Sequence, residues 1–171
     1  MSRKTLVASM VWGLMVLLAQ PKSIMAAKAT LAGSWELTLT PSTPPTPPVM
    51  PIPGLATFTT DGSLIETDGA ELAPGISANP VATYKSPGHG IWQLMPSLTS
   101  FYIQYYSVAV NGDGSLASKT VTVATVAVTT SNKGTTFTGQ YTTTTTGPSG
   151  TPPVSTTGTI DGTSIPHPAL P

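Results

Sequence analysis

Apolar and polar residues alternate in one run after another along this chain, the period-2 pattern of β-strands that bury a single face. The clearest run is Gly33-Ser34-Trp35-Glu36-Leu37-Thr38-Leu39-Thr40, which sets Trp35, Leu37 and Leu39 on one side and polar residues on the other. Further strands are predicted over Leu55–Thr60, Ser63–Thr67, around Val81–Lys85, and over Ile91–Leu94, Ser100–Val110, Leu116–Thr130, Thr135–Thr145 and Val154–Ile160. One run breaks its own period: Val121 and Val123 fall on one face and Val126 and Val128 on the other, so a β-bulge is expected near Ala124-Thr125.

The breaks between runs carry turn chemistry. Asp61-Gly62 separates two β-prone segments, a strong short-range hairpin signal. Ser86-Pro87-Gly88-His89-Gly90, Asn111-Gly112-Asp113-Gly114, Asn132-Lys133-Gly134 and Gly147-Pro148-Ser149-Gly150 read as turns, and Asp161-Gly162-Thr163 as hairpin-like. The segment 41–54 is dense in Pro, which lacks a ladder N–H, and is expected to be an extended loop. Residues 68–82 read as a second long loop.

Eight or nine strands joined by short sequential connections predict an all-β, up-and-down antiparallel barrel, since about eight strands close a sheet and remove its edges. The competing architecture is a two-sheet β-sandwich, whose Greek-key connections the short hairpins do not favour.

The first 29 residues change the picture. Arg3 and Lys4 precede an apolar run from Leu6 to Ala19, and small residues Ala27 and Ala29 follow. That is the layout of a secretory signal peptide, and the run is short of the ~20 apolar residues a membrane span needs. The expected organisation is a signal peptide over 1–29, a barrel domain over 30–164 and a tail over 165–171, with an exported, periplasmic or secreted product.

Cleavage before Thr30 leaves three Lys against seven acidic residues, a formal charge of −4 with no Arg. A chain so poor in basic groups is not suited to neutralising phosphates, which argues against nucleic-acid binding. With 0 Cys, stability must come from packing and sheet hydrogen bonds rather than disulfides, and a lipoprotein anchor is excluded. Hydroxyls on both faces of the Thr-rich runs 135–138 and 142–146 argue for a soluble domain with no stable membrane span, not an outer-membrane barrel.

Gly33-Ser34-Trp35 at the head of the first strand resembles the Gly-x-Trp signature of lipocalins and related calycins. The ordered set of that motif, Phe58-Thr59-Thr60-Asp61-Gly62, Ser86-Pro87-Gly88-His89-Gly90-Ile91-Trp92 and Phe137-Thr138-Gly139 is similar to exported bacterial barrels of the same kind, over essentially the whole expected domain. The resemblance implies a barrel able to hold a small apolar molecule and supplies no catalytic residues.

Candidate lining or core residues are Trp35, Leu37, Phe58, Trp92, Leu94, Phe101, Ile103, Tyr105, Phe137 and Tyr141. His89, an imidazole between two glycines, is either a structural turn residue or a functional group in that turn. Only His89 and His167 are available as imidazole ligands, so neither a metal site nor any other cofactor is expected. Asp61, Glu66, Asp68 and Glu71 cluster in sequence, but Asp61 is explained by its turn, and Glu66 and Asp68 read as a wet outer face. The strand at 100–110 carries aromatics on both faces, so one set must line the interior and the other must lie under a loop, at a partner surface, or in solvent.

The leading expectation is non-enzymatic binding of a small apolar or amphipathic ligand inside the barrel. A structural or adhesive surface protein comes second and a barrel-type isomerase third.

Overall fold

A computed structural model describes residues 30–42, 50–69, 83–148 and 151–166. The expected signal peptide, Glu71, His167 and the start of the strand expected at Val81 lie outside the described residues.

Nine strands follow one another: β1 (Gly33–Pro41), β2 (Ile52–Phe58), β3 (Ser63–Asp68), β4 (Thr83–Lys85), β5 (Gly88–Leu94), β6 (Ser100–Asn111), β7 (Leu116–Ser131), β8 (Gly134–Thr146) and β9 (Val154–Ser164). All pairings are antiparallel, and β1–β9 and β6–β7 close the sheet on itself. Strands β4 and β5 pair with successive stretches of β6, so they are two halves of one barrel strand interrupted at Ser86-Pro87. The result is a closed eight-stranded up-and-down barrel, not a sandwich. Across the interruption the Ser86 N–H donates to the Val108 carbonyl at 2.8 Å, and the Ser86 hydroxyl accepts from the Val108 N–H at 3.0 Å. That hydroxyl satisfies a backbone donor of β6 at the Pro break.

Each strand turns one parity inward, as the alternation predicts. Buried Trp35, Leu37, Leu39, Ala56, Phe58, Leu64, Phe101, Ile103, Val126, Phe137 and Ile160 form the core. The two ends differ in their connections. One end carries the short links β2–β3, β5–β6 and β7–β8, and the other the links β1–β2, β3–β4, β6–β7 and β8–β9.

Four expectations are corrected. The register of β7 against β6 and β8 runs unbroken past Ala124-Thr125, and the irregularity sits instead at Ala109/Val110. Val121 and Val123 therefore stay outside, half-buried beside their cross-strand partners Tyr106 and Gln104. Gly88-His89-Gly90 is strand rather than turn, because it pairs on both sides, with β3 and with β6. Asp161-Gly162-Thr163 likewise continues β9, held between β1 and β8. β2 starts inside the Pro-dense segment expected as a loop over 41–54: Ile52 and Pro53 already belong to it. They pair there with β1 alone, so the missing Pro N–H breaks no ladder on the other side.

Candidate functional site

The barrel interior is divided along its axis. Its short-link end is closed by rings. Trp35 packs on Phe137 with centroids 4.9 Å apart and meets Phe58 edge-on at 6.5 Å, while Phe58 meets Trp92 at 6.4 Å and Trp92 meets Phe101 at 5.6 Å. The chain before β1 passes close beside this floor, where the Trp35 indole N–H donates to the carbonyl of fully buried Leu31 at 2.7 Å. The Trp92 indole donates to the Thr59 carbonyl at 2.9 Å. Both indole donors are thus satisfied beside an apolar floor.

Glycines face some of these rings across the sheet. Phe137 is paired with Gly162, and Tyr141 with Gly158. A Cβ on Gly162 would lie 2.3 Å from a Phe137 ring carbon, so the ring occupies the space a side chain would take. Such ring-over-glycine pairs let a strongly coiled sheet fill its interior.

Toward the opposite end the inward side chains become polar. Glu66 is 1 % exposed, and Ser107 and Thr122 are buried as well. The pKa of the Tyr105 phenol is raised well above the usual tyrosine value, first by burial and then by the negative charge of Glu66. The Thr122 and Thr143 hydroxyls are 3.1 Å apart, and those of Thr120 and Thr145 3.2 Å. Asp68 and Lys85 form an ion pair, both side chains mostly buried. Gly88 makes room for the cluster: a Cβ there would lie 2.6 Å from the Tyr105 ring and 2.9 Å from Glu66 Oε2.

Glu66 and Asp68 are thus not the wet outer face expected of them. The Asp61-Gly62 hairpin pairs Phe58 with Leu64. Phe58 is inside, so Leu64, Glu66 and Asp68 share the inner parity while Ile65 is turned out and half-exposed. Leu64 and Ile65 are both apolar, which left the parity open in β3 by itself; extending Phe58 through the hairpin register is the signal that resolves it.

Of the ten candidate lining residues, Trp35, Leu37, Phe58, Phe101, Ile103, Tyr105, Phe137 and Tyr141 are buried in the barrel, and Trp92 and Leu94 are partly buried against them. Trp35, Phe58, Trp92, Phe101 and Phe137 belong to the ring floor, whereas Tyr105 belongs to the polar cluster. His89 is not with them. It lies exposed on the outer wall between Ile65 and Tyr106. The two turn carboxylates, Asp61 and Asp113, have pKa values lowered chiefly by side-chain hydrogen bonds from Thr59 and from Ser115 respectively. Their role in the turns is thereby accounted for. A cleft of about 360 Å³ opens over β1–β3, bordered by Glu36, Thr38, Pro53, Leu55 and Thr67 and reaching Leu37 and Asp68. Among the described residues, no group of three His or acidic side chains gathers in a way that would hold a metal ion.

The interior therefore offers an apolar floor and, further along the axis, a carboxylate, a phenol and several hydroxyls. Searches with this chain match no family model, no curated protein and no solved structure.

Proposed function

We propose that this chain is an exported, lipocalin-type barrel that binds a small amphipathic molecule non-enzymatically, with the ligand's polar group at the Glu66–Tyr105–Thr122 cluster. The observation that carries the reading is that cluster's position. A barrel whose interior served packing alone is most stable with apolar filling, because each buried polar group costs free energy unless it is compensated. Here a carboxylate, a phenol and hydroxyls converge in one half of the interior, next to an apolar half. A few convergent polar groups beside apolar walls are the usual composition of a small-molecule site. The Gly-x-Trp motif at Gly33-Ser34-Trp35 and the up-and-down closure support the lipocalin-type assignment, and the leader-like segment 1–29 supports export to the periplasm or beyond.

The test has two arms. Native mass spectrometry of freshly purified protein would reveal a retained molecule, and titration with a fatty alcohol, a fatty acid and an aromatic dye should change tyrosine and tryptophan emission saturably. Glu66→Gln should alter the ranking of the probes. If nothing copurifies and no probe saturates, the interior is solid filling and the reading falls.

A further inference from the structure

The outer wall over β3, β5, β6 and β7 carries a surface that the interior reading does not use. Tyr102, Gln104 and Tyr106 alternate outward along β6 and form a directional hydrogen-bond row. The Tyr102 hydroxyl donates to Gln104 Oε1 at 2.7 Å, and Gln104 Nε2 donates to the Tyr106 hydroxyl. Ile65 and Ile91 flank the row from β3 and β5, with His89 directly opposite Tyr106. On the other side Val121 and Val123 stand opposite Tyr106 and Gln104. Tyr106 is 53 % exposed, and Ile65 and Ile91 are similarly open. None of these residues is Asp, Glu, Lys or Arg.

Size and chemistry decide between occupants. Three inter-strand spacings of ~4.8 Å and four residues of ~3.3 Å along β6 span roughly 200 Å² of wall. That is about a quarter of the ~800 Å² each partner gives to a standard protein interface. A second copy of the chain is therefore poorly matched. Burial in the hydrocarbon region of a lipid layer would strip water from Gln104, His89 and two phenols without supplying partners. A neutral polyhydroxylated polymer meets both needs: its C–H faces stack on tyrosine rings and its hydroxyls pair with the amide and phenols. The row's direction matters, because Tyr106 accepts from Gln104 and so keeps its own O–H proton to donate outward.

We propose that this wall is a platform for a neutral polysaccharide, with Tyr106 and Tyr102 as stacking rings and Gln104 fixing them. The platform does not depend on the interior, which lies on the opposite side of the same strands, so each proposal stands or falls alone.

Affinity electrophoresis of the full chain in gels containing a neutral β-glucan or a galactomannan, with polygalacturonate as a charged control, tests it. The expected result is retardation by at least one neutral polymer. Tyr106→Ala should weaken it about tenfold, the size expected when an aromatic anchor is truncated. Tyr106→Phe should weaken it less, and Thr138→Ala on the outer face of β8 not at all. Circular dichroism would establish that each variant is folded. No retardation by either neutral polymer, or retardation unchanged in Tyr106→Ala, overturns the proposal. So does sedimentation that reveals a dimer broken by Tyr106→Ala, or binding to phosphatidylcholine vesicles abolished by it; these would assign the wall to a second copy or to lipid.

Discussion

Replacing Trp35 by Ala tests the packing of the barrel floor most directly. The ring is 2 % exposed, and an aromatic side chain of this kind buries roughly 150–250 Å². At about 25 cal/mol per Å² that area is worth ~4–6 kcal/mol, of which alanine retains a small part. Deleting buried aromatics costs ~3–5 kcal/mol in general. Two features place Trp35 at the upper end. Its ring contacts with Phe137 and Phe58 add roughly 0.5–1.5 kcal/mol per pair, and its indole N–H is the donor to the buried Leu31 carbonyl.

Trp35→Phe separates the effects, keeping a ring in the floor while leaving that carbonyl without its donor, at a cost of about 1–3 kcal/mol. Urea unfolding followed by far-UV ellipticity is the assay. With a slope of ~1–3 kcal/mol per M, Trp35→Ala should lower the midpoint by more than 1 M without changing the slope. A loss below about 1 kcal/mol would refute the argument, since that is the scale of a surface substitution. Equal losses in Trp35→Phe and Trp35→Ala would show that the hydrogen bond to Leu31, not ring packing, holds the floor.

Gly162→Ala should cost ~1–3 kcal/mol by overpacking, because the new methyl would lie 2.3 Å from a Phe137 ring that Trp35 already confines, whereas the outward neighbour change Thr163→Ala should stay within about 0.5 kcal/mol; urea midpoints of the two variants decide this. Tyr105 contributes to the alkaline limit. Its folded pKa lies above the reference value of 10.0, so its contribution is fully present below pH 10 and is lost as pH rises beyond that value, where the unfolded chain ionises first. Alkaline unfolding followed by ellipticity should therefore move to higher pH in Tyr105→Phe. An unchanged or lower alkaline midpoint would contradict this assignment.

The alternation of residues along the chain was by itself enough to locate most of the strands and to name the inner residues of β1, because a strand's period of two converts one buried position into a whole face. The turn chemistry at Asp61-Gly62 and Asn132-Lys133-Gly134 was equally local, since Gly62 and Gly134 take positive φ, a backbone requirement legible from residue type. Closure was an inference from strand number and short links.

Whatever depended on a neighbour across the sheet was decided only by the tertiary structure. Gly88-His89-Gly90 and Asp161-Gly162-Thr163 have the composition of turns, yet flanking strands on both sides supply hydrogen bonds that outweigh local preference, and rings on β6 and β8 occupy the space their glycines leave. The side to which Glu66 points was fixed by its pairing through β2 rather than by its own segment, where apolar residues sit on both parities. The outward row Tyr102–Gln104–Tyr106 was readable as a second aromatic face, but its breadth was not. That breadth comes from Ile65, His89, Ile91, Val121 and Val123, far apart in sequence and made neighbours by register alone, which short-range periodicity does not encode.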